Sequence, residues 1–372
     1  MSSEREMMHP PTARTLPGAK LWGGEADEAL EKKIRDRPAE SWANRMREMY
    51  EEGYAGAFAD PAASGAFEAT VAAAGGDLDG GRISRRYGLE GAGEGNLVAP
   101  FTYIQKLLGD TLPGPAQQRG SCVAHSTKNA LLLLMCCDVV SGRPDEASGL
   151  VEGLPEVDPE GIRNGTLSTE AIYWMRGYDG DGWSCEAAAD VALKQSGLWL
   201  RNNYPDLGID LRKYSGSLEG KYGRRPPPSA ILAAGAKHLV RNVTRLRTFE
   251  EVRDYLANGY SVSSCGSEGF SSTRDANGVS KRSGSWSHAM AAMAADDRDE
   301  TKQIYGEPLV EIQNSWDEWN TGPRVIRGTS IQIPGGAFWS RWSDVKNRTW
   351  LAFSGAAGWA AKTLPPVDLG VG

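Results

Sequence analysis

Between Cys122 and Val140 the chain reads CVAHSTKNALLLLMCCDVV, with apolar residues on every side of a helical repeat and no charged face. That pattern predicts a helix of about five turns, buried on all sides in a core, with Gly142 stopping it. Further helices are predicted over LSTEAIYWMRGY and over SCEAAADVALKQSG, the second closed by Gly197. TFEEVRDYLANG opens on Thr248 with Glu251 three residues on, the pattern of a capping box. Beyond it the pattern changes. YSVSSCG, SHAMAAMAADD and PLVEIQNSW are short runs bounded by Gly, Asp and Pro, as strands of an antiparallel sheet are. IRGTSIQIPGGAFW continues them, alternating through Ile331 and Ile333. Helices followed by strands predict an α+β fold of two lobes with a cleft between them.

Upstream, residues 25–58 are rich in helix formers, and Pro38 divides them into two predicted helices. A Gly- and Ala-rich stretch follows and reads as a linker or long surface loop. The expected organisation is an N-terminal helical extension and linker over 1–95, then a main domain over 96–372. Its helical lobe is expected over about 96–245 and its β lobe over about 246–360. No internal repeat is visible.

Composition narrows the function classes. The 372 residues carry 41 Lys and Arg against 48 Asp and Glu, a net charge of −7, which gives no general attraction for phosphate backbones or anionic lipid. Nucleic acid and membrane are therefore not expected partners. No apolar run is expected to reach membrane-spanning length, and MSSEREMMHPPTARTLPG lacks the apolar stretch of a secretory signal. The 5 cysteines, Cys122, Cys136, Cys137, Cys185 and Cys265, are odd in number and show no paired metal or redox spacing. The expectations are no disulfide framework, a reducing compartment, and a cytoplasmic or, for a viral protein, virion-associated location. Cys136 and Cys137 read as core; Cys185 and Cys265 are assigned no role.

Three residues carry candidate chemistry: Cys122 at the head of the buried helix, His288 in GSWSHAMAAM, and Asn314 in VEIQNSWDEWNTGP. A thiol attacks as thiolate, and a helix N-terminus and a nearby imidazolium both favour that charge. A histidine on a facing wall accepts the thiol proton and returns it to a leaving group. A side-chain oxygen then fixes the ring's tautomer and rotation. His125 lies one turn after Cys122 on the same helix, so it points alongside the thiol and reads as a packing residue. His9 and His238 read as surface.

In GSCVAHS, SHAMAAM and QNSWDEWNTGP, and in their order, the chain resembles the papain/cathepsin family of cysteine peptidases. LSTEAIYW, GYDGDGWS, GLWLRNNYP and GGAFWSRWSD extend the likeness over roughly 96–352. The resemblance implies a papain-like two-lobed fold and a cysteine peptidase acting through a thioester, with Cys122 as nucleophile, His288 as base and then acid, and Asn314 orienting the ring. It implies that Trp316 shields the His–Asn bond from water and that Gly180, Gly182, Ser287 and Ala289 contact substrate, Ala289 leaving room for a bulky apolar side chain. One oxyanion donor is the Cys122 backbone N–H. The family's glutamine donor falls on Ala116 here, so Gln117 or Gln118 is expected to replace it, with Gln118 favoured. Arg119 stands where secreted members carry a structural cysteine. No cofactor or metal is implied; the expected partner is a peptide or protein substrate, with a protein partner possible for the N-terminal extension. Two other readings stay open: a papain-fold structural or assembly protein, such as a viral particle component, with weak or lost activity, and amide hydrolysis on a non-protein substrate such as cell-wall peptide.

Overall fold

A computed structural model describes residues 90–372 apart from 109–115, 143–164, 236–239, positions 178, 195, 224, 226 and 234, and 356–358, 360–361, 363, 365 and 368–372. The predicted helices within 25–58, most of the linker, His9 and His238 lie outside the described residues.

The described chain opens with β1 (Leu97–Val98) and α1 (Phe101–Leu108) and reaches the central helix α2 (Cys122–Val140). A helical lobe follows: α3 (Thr169–Trp174), α4 (Cys185–Leu193), a small ribbon of β2 (Asn203–Tyr204) and β3 (Ile209–Asp210), then α5 (Gly216–Glu219) and α6 (Ser229–Ala233). The β lobe holds β4 (Asn242–Leu246), α7 (Phe249–Ala257), β5 (Ser261–Arg274), β6 (Ser280–Asp296), α8 (Asp299–Tyr305), β7 (Leu309–Gln313), β8 (Ala337–Arg341), α9 (Trp342–Val345) and β9 (Thr349–Ser354). Its antiparallel sheet runs β4-β9-β5-β6-β7-β8, with β1 added to the end of β6. The architecture is two-lobed α+β, a helical region against an antiparallel sheet.

The helix α2 holds the lobes together. It packs on β5 and β6 on one side and on α1, α3 and α4 on the other. That explains its uniform apolar pattern, because burial of Leu131 to Cys137 leaves no face for solvent. By length and composition α2 is long and apolar enough to cross a membrane, contrary to expectation, but here both lobes sheathe it. The Thr248–Glu251 capping box forms as expected at the start of α7.

Several local expectations change. α4 ends at Lys194, short of Gly197; Gly197 instead lets the chain pass close to Ala171 and Ile172, where a Cβ would meet the Ala171 carbonyl at 3.0 Å. β5 and β6 are long, 14 and 17 residues, because their Ser- and Gly-rich ends pair as a hairpin that apolar alternation does not reveal. The stretch around Ile331 and Ile333 makes only an isolated bridge between Val325 and Gln332, and the edge strand lies further on, in β8. The sheet claims residues on both sides of the expected lobe boundary, with β1 at Leu97 and β4 from Asn242.

The largest correction concerns cysteine. Cys185 at the head of α4 and Cys265 in β5 form a disulfide across 80 residues, with Cα atoms 6.0 Å apart. Their separation hides the pair from any spacing rule; packing of α4 on β5 brings them together. The pairing removes the cysteine argument for a reducing compartment. Cys136 and Cys137 are buried core residues, as expected.

Candidate active site

Cys122 is the first residue of α2, and its side chain is 1% exposed. Ser121 before it occupies the N-cap position, yet its hydroxyl makes no capping bond. The first-turn N–H groups, carrying the positive end of a 19-residue helix, therefore have no side chain of their own cap upon them.

His288 lies in β6, opposite Gly266 of β5, and a register shift between Gly266 and Glu268 bends the hairpin beside it. Asn314 follows the last residue of β7. Its Oδ1 accepts from His288 Nε2 at 2.7 Å and from the Ser315 N–H at 2.7 Å. Two donors on one atom identify it as the carboxamide oxygen, which places the ring proton on Nε2 and makes Nδ1 the basic nitrogen. Burial pushes the His288 imidazole down to about 3, against the Asn314 bond that favours the charged ring, with the Arg348 charge adding to the fall. At neutral pH the ring is neutral.

Trp316 covers this pair, its ring centroid 4.5 Å from that of His288. Trp286 and Trp319 pack around Trp316 at 4.8 and 5.7 Å between centroids, so the His–Asn bond sits in a dry aromatic box. Low local polarity strengthens such a bond.

The loop before Cys122 is stitched to the strand end carrying Asn314. The Gln117 N–H donates to the Ser315 carbonyl at 2.9 Å, the Ser315 hydroxyl donates to the Gln117 carboxamide oxygen, and Gln117 Nε2 donates to the Arg119 carbonyl at 2.7 Å. Gln118 faces the other way: its N–H donates to the Tyr214 hydroxyl at 2.9 Å and its Oε1 accepts from the Gly216 N–H at 3.0 Å. Of the two glutamines, Gln117 is the one bonded to the Asn314–Ser315 corner.

Gly180 and Gly182 both have positive φ, 98° and 88°, and the Gly182 N–H donates to the Gly120 carbonyl at 2.9 Å. Between them Asp181 is buried and accepts from Arg119 Nε at 2.9 Å and from the Tyr173 hydroxyl at 3.1 Å. An ion pair with Arg119 thus anchors this loop beside the one that carries Cys122. Ser287 is half-buried, and Ala289 is a core residue opposite Cys265.

Arg348 and Glu219 went unnoticed in the sequence. The fully buried Arg348 side chain donates to the His288 carbonyl at 2.7 Å, to Ser264 Oγ at 3.1 Å and to Glu268 at 3.1 Å. Burial lowers it to about 10 while Glu268 and Cys122 pull it back up, so its charge acts on both Cys122 and His288. It sits in VKNRTW, which has no periodicity to mark it. Glu219 lies under Ser121 and accepts from its hydroxyl at 2.8 Å. Among the described residues no group of three or more His, Cys, Asp or Glu side chains is placed to hold a metal ion.

Comparison with known proteins gives likenesses of fold only. The chain is similar to xylellain, a cysteine protease from Xylella fastidiosa, at 13% identity over 66% of this chain and 84% of that one, with a TM-score of 0.41. It is similar to procathepsin B S9 from Trypanosoma congolense at 10% identity over 72% and 77%, TM-score 0.39. It is similar to the proform of the ragweed pollen cysteine protease Amb a 11 at 13% identity over 90% and 96%, TM-score 0.37. No family model and no curated protein matches it. The functional reading rests on the site's own geometry.

Proposed function

We propose that the chain is a cysteine-type peptidase in which Cys122, His288 and Asn314 act together. The observation that carries this reading is the 2.7 Å bond from His288 Nε2 to Asn314 Oδ1 under Trp316, on the wall against which the Cys122 helix packs. In this reading His288 Nδ1 takes the Cys122 proton, and the thiolate adds to the scissile carbonyl. The tetrahedral oxyanion collapses to a thioester as His288 protonates the leaving amine. Water, deprotonated by the same nitrogen, then hydrolyses the thioester and restores the thiol.

The backbone N–H of Cys122 supplies one oxyanion donor and Gln117 the other. The placement of Gln117 at the Ser315 corner favours it over Gln118. Its Nε2 is bonded to the Arg119 carbonyl, so a substrate oxygen must compete for that donor. Gly180, Gly182 and Ser287 are proposed substrate contacts. Ala289 is a proposed substrate contact as well; it lies opposite Cys265, which is disulfide-bonded to Cys185.

A second reading, a papain-fold scaffold with a residual site, is favoured by one observation: the side chains of Cys122 and His288 are 1% and 0% exposed. Hydrolysis of a quenched peptide library by the full chain, with Cys122→Ala and His288→Ala as controls, separates the two. Cleavage abolished by both substitutions supports the peptidase; a folded chain that leaves every peptide intact supports the scaffold.

A further inference from the structure

Beneath Cys122, the short helix α5 and the turn before it grip the loop that carries the nucleophile. Gly216 and Gly220 permit the close approach: a Cβ on either would meet Gln118 at 2.6 Å or the Arg119 guanidinium at 2.5 Å. At the centre is Glu219, fully buried. Its Oε2 accepts from the Ser121 hydroxyl at 2.8 Å and from the Tyr214 hydroxyl at 2.8 Å, and Tyr214 in turn accepts from the Gln118 N–H at 2.9 Å. Its Oε1 faces His125 Nε2 at 3.7 Å, and His125 packs edge-on against Tyr214. One carboxyl thus ties together Ser121, Tyr214 and, through Tyr214, the backbone of Gln118.

The consequence falls on Ser121. Serine at an N-cap position ordinarily turns its hydroxyl onto the N2 or N3 N–H, with extended backbone. Ser121 instead has ψ 21° and gives its hydroxyl to Glu219. We propose that Glu219 is a positioning residue that holds the Ser121 hydroxyl away from the N-terminus of α2, leaving the first-turn N–H groups to the Cys122 thiolate and the oxyanion. The inference rests on the peptidase reading and deepens it, since it gives a cause for thiolate stabilisation where His288 is neutral. The charge state of Glu219 agrees with it: burial first, then the neighbouring Glu170, raise the carboxyl to about 8 against the Ser121 and Tyr214 hydrogen bonds and the pull of Arg119. Near neutrality the carboxyl is mostly protonated and sets little negative charge beside the thiolate. Burial likewise keeps His125 neutral, with the Lys128 and Arg201 charges acting in the same direction.

A double-mutant cycle tests the proposal through the rate of iodoacetamide alkylation at Cys122, mapped by mass spectrometry at pH 6. Glu219→Ala frees the hydroxyl to cap the helix and is expected to slow alkylation roughly tenfold, the scale of a helix-terminus interaction. Ser121→Ala in that background is expected to restore the rate, because no hydroxyl remains to compete. Glu219→Gln keeps an acceptor for Ser121 and is expected to stay close to wild type. A structural role alone would not be rescued by a second deletion. The proposal is overturned if Glu219→Ala alkylates at the wild-type rate, if Ser121→Ala fails to rescue a folded Glu219→Ala chain, or if wild-type Cys122 reacts no faster than an ordinary thiol. A reactive Cys122 that passes the cycle in a chain cleaving no peptide would sink the peptidase reading and leave this inference standing.

Discussion

On the strand side of the site, the His288 ring lies against Trp316 and Trp286 and is bonded to the Asn314 carboxamide, with Arg348 on its backbone carbonyl, whereas on the helix side the loop before Cys122 is held by two polar groups, Ser121–Glu219–Tyr214 and Arg119–Asp181. The dry wall makes one hydrogen bond strong and keeps the base neutral. The polar wall sets the backbone path of the loop that presents the sulfur. Precision of a base needs exclusion of water; precision of a helix terminus needs satisfied donors and acceptors on every side.

The largest effects should come from the dry wall. His288→Ala is expected to reduce peptide cleavage roughly 10²–10⁴-fold, the range for loss of a general base, with the folded state retained by circular dichroism. Next is the covalent tie between the walls. Cys185→Ser is expected to lower unfolding free energy by about 2–5 kcal/mol in urea titration, with reductant reproducing the loss in the wild type. On the polar wall the two glutamines should differ. Gln117→Ala is expected to lower kcat roughly 10²–10³-fold, while Gln118→Ala, which removes a bond to Gly216, should leave kcat nearly unchanged. Equal losses would show that the Ser315 corner does not select the donor.

The smallest prediction concerns a polar group without a network. Glu311 in β7 is fully buried, and burial holds its carboxyl well above the usual range. The folded chain therefore keeps a proton that the unfolded chain releases, so stability falls as pH rises above the ordinary carboxylate range. Glu311→Leu is expected to gain about 1–3 kcal/mol at pH 7 and less at pH 5, by thermal melts at both. No gain at pH 7 would mean that this carboxyl is better satisfied than its burial suggests.

The same contrast decides what was legible in the sequence. Cys122, His288 and Asn314 stand in short local patterns: a thiol heading an apolar helix, a histidine entering a strand, Asn-Ser-Trp ending one. Helix α2, the capping box of α7 and the α+β order also follow from local periodicity. What was hidden is long-range and polar. Glu219 stands in a Ser- and Gly-rich stretch and Arg348 among other polar residues in VKNRTW, with nothing local to mark either, and Cys185 and Cys265 lie 80 residues apart. The extended β5–β6 hairpin was hidden for a similar reason, since most side chains of its outer half are Ser, Gly, Lys and Arg, with Phe270 and Trp286 as isolated buried exceptions. Contacts that satisfy buried polar groups leave no period behind.

The most direct test of the account is intact-mass detection of an acyl-enzyme after the full chain meets an activated peptide ester. Predicted is a transient adduct of the acyl mass, mapped to Cys122, forming far more slowly in His288→Ala. An adduct on another residue, or one forming on Cys122 at the same rate without His288, would contradict it.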